Sequence, residues 1–338
     1  MKFSKIDKLI MFGGSYLMAE LIKQKIAKKL DLELVVFSSE RHLDEQIGST
    51  TLKKIFKKNK IKFYNSDDIN KDPNLKSEVT PRTIGIALGA AWTFDKKIVN
   101  YFSKNHLLDL MGLDLPRYRG GAHYTWQILH QNLKGVTNMQ IILGGAKTLH
   151  YGKVIDRIEY NLPENLTKPI DYFNFIMIKE ADFLVKFLTK LNNGDNFKLV
   201  KLDESKSAYY PFLSTEFNGL INWNWPSRDI YLFINAFDEP YKGASTYLND
   251  YKVYLKDSEL LPSSDKYHPF TSGIVVRKDK SGIYVALQGS IIKIKKVMDA
   301  KGKNFINKIE LGDRLYTPMI ELDKAAQFSA SYSAKGLK

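Results

Sequence analysis

Short apolar runs alternate with amphipathic stretches along the first half of the chain. Leu9-Ile10-Met11-Phe12 ends abruptly at Gly13-Gly14, which reads as a buried strand closed by a tight turn. Residues 16–29 follow, with Leu17, Leu21, Ile22 and Ile26 at helical spacing. Further strands are predicted at 32–38, 61–64 and 84–88, with a helix over 52–58. The run Ile84-Gly85-Ile86-Ala87-Leu88 is apolar throughout, so it belongs in the middle of a sheet covered on both faces. Helices over 95–102 and 122–131 follow, and strands at 137–143 and 154–160. A long amphipathic helix is predicted over 171–191, with Phe175, Ile178, Phe183 and Phe187 along one stripe. Asn192-Asn193-Gly194-Asp195 stops it. This order of strands and helices predicts a mostly parallel sheet with helices on both faces.

After about residue 210 the pattern shortens. A helix over 230–237 is followed by strands at 251–255, 273–277, 283–287 and 291–296. Turns at Asp279-Lys280-Ser281-Gly282 and Gln288-Gly289-Ser290 separate the last three. Strands of this length and spacing predict a small barrel. The serine- and alanine-rich tail from Ser329 reads as frayed.

The chain has 338 residues and no cysteine. The length allows two cores, and the missing thiols exclude disulfides, thiolate nucleophiles and cysteine-ligated zinc, which fits a reducing cytoplasm. No segment is apolar for long enough to span a bilayer. The net charge of +14 suits polyanionic partners. Most of the excess lysine lies in stretches such as Lys53-Lys54-Ile55-Phe56-Lys57-Lys58, where a solvated helix face is enough to account for it. Lys293 and Lys295 alternate with isoleucines and, with Lys301 and Lys303, present either an RNA-facing patch or a charged edge that resists aggregation. Gly13-Gly14 lacks the full spacing of a dinucleotide loop.

The segment Leu115-Pro116-Arg117-Tyr118-Arg119-Gly120-Gly121-Ala122, followed by Trp126-Gln127-Ile128-Leu129, resembles the LPRYRG-x-x-P-x-x-W-x-I segment of the formyltransferases. Gly135-Val136-Thr137 is similar to that family's G-V-T strand entry, and Ala90-Ala91-Trp92-Thr93-Phe94 lies where its folate loop falls. Ile221-Asn222-Trp223 resembles its I-D-W. The stretch from Ile234-Asn235-Ala236-Phe237 to Pro240-Tyr241-Lys242-Gly243-Ala244 resembles its I-R-A to G-A segment. The resemblance runs through most of the chain in the right order. It implies a Rossmann-like α/β domain over residues 1–205, a β-rich, barrel-like domain over 206–330 and a flexible tail over 331–338.

The chemistry departs from the pattern. The family places an Asn-x-His pair before the arginine-containing loop and an Asp-x-Gly after it. Here those positions carry Asp109, Met111 and His150. A methionine neither shuttles a proton nor donates a hydrogen bond, and an ionised aspartate only accepts. The resemblance implies formyl transfer from a 10-formyltetrahydrofolate-like donor to an amine, carried by an amino sugar, nucleotide-linked, or by an aminoacyl-tRNA. The substituted triad implies either an altered active site or a catalytically inactive relative that binds a ligand or partner. In the altered site, Asp109 and His150 form an acid–base dyad, the carboxylate raising the imidazole pKa, with His123 at the rim. Trp92 and Phe94 would stack on the pterin ring, and Arg117, Arg119 and Gly120 would shape or grip the ligand. Asp109, His123 and His150 do not follow a recognised metal-ligand spacing, so no metal is expected.

Overall fold

The structure is a computed structural model, and it describes residues 1–145, 149–262, 267–333 and 336–337. The first half builds a seven-stranded sheet from β1 (Lys8–Gly13), β2 (Glu33–Ser38), β3 (Lys62–Asn65), β4 (Thr83–Leu88), β5 (Leu107–Met111), β6 (Lys134–Ile141) and β7 (Val154–Asn161). The spatial order is β7-β6-β5-β4-β1-β2-β3. β1 pairs in parallel with β2 and β4, β2 with β3, and β4 with β5. β6 and β7 close one edge as antiparallel strands. The strand order reverses between β1 and β4, which opens a crevice at their carboxyl ends.

One face of this sheet is covered by α1 (Tyr16–Lys23) and by α4 (Pro169–Asn192), whose Leu184, Phe187 and Leu188 are fully buried. The other face packs on Ile69, Leu75, Phe94 and Phe102. The helix expected over 16–29 is in fact two. α1 ends at Lys23, Lys25 turns left-handed at φ 54°, and a short turn Ile26–Lys29 returns Ile26 to the core. The stripe expected on α4 is also shifted: Ile178 is 59% exposed, and the buried row runs through Tyr172, Ile176 and Leu184 instead.

The second half forms a six-stranded antiparallel sheet that curls into a half-barrel. Its strands are β8 (Ala244–Leu248), β9 (Tyr251–Leu261), β10 (Val275–Asp279), β11 (Gly282–Leu287), β12 (Ser290–Asp299) and β13 (Leu315–Tyr316), in the order β10-β11-β12-β9-β8-β13. Ile292 and Ile294 are buried and Lys295 is exposed, as the alternation on β12 requires. α5 (Ser227–Ala236) packs on this sheet and on α3 (His123–Leu129) of the first half. A bond from Thr125 Oγ1 to the Ala236 carbonyl, 3.1 Å, ties α3 to α5. Trp223 is buried and donates to Thr246 Oγ1 at 2.8 Å. In the terminal segment, Tyr332–Ser333 and Gly336–Leu337 form a short antiparallel ladder; the expected fraying also concerns residues 334, 335 and 338, which lie outside the described residues. Among the described residues no helix is long and apolar enough to cross a membrane.

Candidate active site

The crevice at the carboxyl ends of β1, β4 and β5 is a cavity of about 820 Å³. Four loops build its walls: the Gly13–Ser15 turn, residues 88–94, residues 111–121 and the described parts of 142–152. Gly13 sits at φ 112°, and a Cβ there would lie 2.6 Å from the Leu88 carbonyl oxygen. The first turn therefore needs glycine to let the β4 loop pass. Phe94 accepts the Gly145 amide hydrogen on its carbonyl at 2.7 Å, which joins two of the loops.

Asp109 enters from β5. Its neighbours Leu108 and Leu110 are buried, and it lies in register with Ala87 and Gln140. What surface it keeps faces the cavity, and no cation or donor meets it among the described residues. Burial therefore pushes its carboxyl up to about 7. Met111, two residues on, lines the same cavity and packs with Leu113, Leu115 and Val154.

His150 and His123 reach the cavity on either side of Gly120, one bound to its N–H and the other to its carbonyl. His150 Nδ1 accepts from the Gly120 amide at 3.1 Å, and His123 Nε2 lies 2.9 Å from the Gly120 carbonyl, so it donates. The two rings are 6.0 Å apart. With Nδ1 of His150 accepting, the ring hydrogen belongs on Nε2, which has no partner among the described residues. Burial first, then His123 and the Arg119 guanidinium, lower His150 to about 3. Burial lowers His123 to about 4. The expected raising of His150 by Asp109 is absent: burial, His123 and Arg119 set its pKa instead. Asp109 and His150 share the cavity but make neither a hydrogen bond nor an ion pair, and the imidazole is held neutral instead of charged.

Arg119 is 1% exposed and does not line the cavity. Its Nε donates to the His150 carbonyl at 2.9 Å, and its two Nη atoms each reach a Glu204 carboxylate oxygen at 3.0 Å. Nη1 also donates to Ser207 Oγ, and the guanidinium stacks on Tyr151 at 4.2 Å. It holds the loop, and with it His150, whose backbone sits at φ 62°. Arg117 also lies outside the cavity, its Nη1 3.2 Å from Asp114 Oδ2. Of the two roles expected for these arginines, shaping the loop fits their positions, because both have carboxylate partners of their own and neither lines the cavity. Gly120, at φ 109°, lines the cavity, and a Cβ on it would fall 1.8 Å from the Tyr210 carbonyl oxygen.

Trp92 and Phe94 both line the cavity. Trp92 is part-exposed and its Nε1 donates to the Asp67 carbonyl at 3.1 Å. Phe94 is 5% exposed and meets Phe12 edge-on at 5.0 Å, so most of its ring belongs to the core. Among the described residues no group of three or more His, Asp or Glu side chains is placed to hold a metal ion.

Residues 214–308 match the model of the formyl transferase C-terminal domain. The methionyl-tRNA formyltransferase of Clostridium tetani is 29% identical over 206 residues, which is 59% of this chain and 63% of that protein. That of Syntrophomonas wolfei aligns across 88% of this chain and 92% of its own length at 23% identity. This chain carries a formyl transferase C-terminal domain and is similar to methionyl-tRNA formyltransferases through most of its length. The fold agrees. The sugar 3N-formyltransferase WlaRD, solved with dTDP and 5-N-formyl-THF, superposes with a TM-score of 0.62 at 21% identity, covering 86% of this chain and 98% of that one. An N-formyltransferase from Helicobacter canadensis, in complex with folinic acid and dTDP-3-aminofucose, gives 0.62 at 18% identity over 86% and 99% of the two chains. The chain spans less than two thirds of the Clostridium tetani protein in the aligned part.

The cavity is large enough for a small-molecule ligand. Its walls combine apolar side chains with the exposed edges of the 88–94 and 142–145 loops, where backbone donors and acceptors can read a heterocycle edge. Sequence reasoning missed Glu180, Tyr124, Phe173 and Phe212, all of which line the cavity. A signal for Glu180 is present. It stands at i+4 from Ile176 and i−4 from Leu184, both fully buried, so a carboxyl interrupts the inward row of α4.

Proposed function

We propose that the protein transfers a formyl group from a 10-formyltetrahydrofolate-like donor to an amino group, using an altered set of catalytic groups. The observation that carries this reading is Asp109: a buried carboxyl near pKa 7 lining the same cavity as a neutral His150. A general base works best when its pKa lies near the working pH. Ionised Asp109 takes the proton from the amine as its nitrogen adds to the formyl carbon. His150, kept neutral and oriented through Gly120, offers Nε2–H to the oxygen on which charge develops. Roles that the family assigns to Asn, His and Asp are thereby redistributed, and Met111 contributes apolar packing alone.

The Ala90–Thr93 wall with Trp92 is the part that would hold the donor's ring system. The acceptor amine is that of a nucleotide-linked amino sugar or of an aminoacyl-tRNA, and the protein works in the cytoplasm. Met111 favours a second reading, a relative that binds a folate or a partner without turnover, because a thioether replaces a proton-transfer group.

Thermal shift with 5-formyltetrahydrofolate, followed by turnover of 10-formyltetrahydrofolate with dTDP-3-aminofucose and with methionyl-tRNA, separates the readings. Stabilisation with formylation of one acceptor supports the enzyme. Stabilisation without product from either supports the binding protein, and no stabilisation of folded protein removes folate from both.

A further inference from the structure

The long helix α4 carries Glu180 to the wall of the cavity that Asp109 lines from β5. A carboxyl in the buried row between Ile176 and Leu184 is costly unless paired. Among the described residues, neither Glu180 nor Asp109 has a hydrogen bond or an ion pair. Gly112, three residues beyond Asp109, passes so close that a Cβ there would lie 2.8 Å from Glu180 Oε1. The titratable groups that face Glu180 are Asp109 from β5, Tyr124 from α3 and Tyr160 from β7. Tyr160 is already engaged with Thr137 Oγ1 at 3.2 Å. Among the described residues no lysine or arginine pairs with either carboxyl, so there the nearest counterweight to one negative charge is the neutrality of the other.

We propose that Glu180 is a second proton-handling residue of this site, giving a proton to the departing nitrogen while Asp109 takes one from the attacking amine. The inference rests on the formyl-transfer reading. The amine lone pair forms the new carbon–nitrogen bond, and the carbonyl π pair moves to oxygen. The ammonium proton passes to the Asp109 carboxylate. When the oxygen lone pair re-forms the carbonyl, the bond from the formyl carbon to the donor nitrogen breaks, and that nitrogen takes the Glu180 proton. Asp109 then holds a proton and Glu180 is ionised, and exchange through cavity water resets them. The electrostatics agree in direction. Burial, reinforced by the charge of Asp109, raises Glu180 to about 8, above Asp109 at about 7. Two carboxyls pushed apart in this way divide into a base and an acid.

The test is a pH titration of the side-chain carboxyl carbons by NMR on the full chain, in wild type, Asp109→Asn and Glu180→Gln, with pH–rate profiles. The rates use 10-formyltetrahydrofolate and dTDP-3-aminofucose or methionyl-tRNA. Glu180 is expected to titrate in the neutral range in wild type, and at least about one pH unit lower in Asp109→Asn. Glu180→Gln is expected to lower kcat about 100-fold and to abolish the alkaline limb of the profile, leaving the acid limb of Asp109. Thermal melting confirms that both variants fold. A Glu180 that titrates as an ordinary carboxylic acid, or at the same pH with and without Asp109, overturns the coupling. A Glu180→Gln enzyme with unchanged kcat and an intact alkaline limb overturns the proton-donor role. Wild-type protein that formylates neither amine, while its carboxyls titrate as a coupled pair, removes the transfer reading and the donor role with it but leaves the coupling established.

Discussion

His150 accepts the Gly120 amide hydrogen through Nδ1 at 3.1 Å, a bond that only a neutral imidazole can make. The same residue gives its carbonyl to buried Arg119, and His123 donates to the Gly120 carbonyl. Ring, loop and arginine are therefore one assembly. Its design is to keep a histidine uncharged inside a basic protein, so that the free ring nitrogen is a donor at any physiological pH. That is a different use of histidine from the charged partner of a carboxylate.

Replacing His150 with Phe keeps the ring volume but removes the Nε2–H donor and orphans the Gly120 amide. The expected result is a fall in kcat of about 10²–10³, the usual cost of one oxyanion donor. Affinity for 5-formyltetrahydrofolate, measured by calorimetry, should change by less than about threefold if the donor acts mainly in the transition state. Equal losses in both would assign His150 to ligand binding.

Asp109 makes a prediction about stability and pH. Its native pKa, about 7, lies above the ordinary carboxylate value of 3.8. Between these values the native state holds the proton and the unfolded chain releases it. Stability from this group is full below about pH 4, declines as pH rises towards 7, and then levels off. Asp109→Asn cannot ionise, so its melting temperature should gain on wild type across that window, by roughly 5 °C in all. Melting curves at pH 5, 6, 7 and 8 read this directly. A gap independent of pH would mean that Asp109 is charged throughout.

Arg119→Lys tests whether the arginine acts as scaffold. Lysine keeps the charge but not the fork that meets Glu204 twice and the His150 carbonyl once. Leaving those acceptors without a matched donor should cost roughly 3 kcal/mol in urea unfolding. A variant that keeps full stability and loses only ligand affinity would instead place Arg119 at the ligand.

The sheet and its helices were legible because burial on both faces turns strands such as β4 into unbroken apolar runs, and α4 into a periodic stripe. Helix α6 (Met319–Gln327) was not, since its Met319 and Ile320 are 55% and 64% exposed and leave no buried face to read. Strand β8 hid for a related reason: Ala-Ser-Thr-Tyr-Leu shows no alternation, because Ala244, Ser245 and Thr246 are buried in succession. At the site, spacing from the arginine loop brought Asp109, His123 and His150 to one cavity. It could not supply their protonation. That depends on what surrounds each group: Arg119, expected to shape or grip the ligand, is engaged by Glu204 from 85 residues away. Glu180 was open to detection as the one carboxyl in an inward row, had the row been drawn through Ile176 and not through the exposed Ile178.

Gly112→Ala addresses the same pair by geometry. The backbone at Gly112 is not in the left-handed region, so alanine is tolerated there by conformation. The added methyl would sit 2.8 Å from Glu180 Oε1 and 3.2 Å from Ile176 Cγ2. The carboxyl, at the free end of a flexible side chain, is the atom that yields, and Ile176 needs to give only a few tenths of an ångström. Stability should therefore change by less than about 1 kcal/mol, while kcat falls about tenfold because the proton donor is displaced from its partner. The decisive comparison is with the double variant. In a Glu180→Gln background the alanine should lower kcat no further, since the proton it misplaces is already absent. Multiplicative losses in the double variant would show that Gly112 shapes the cavity independently of Glu180.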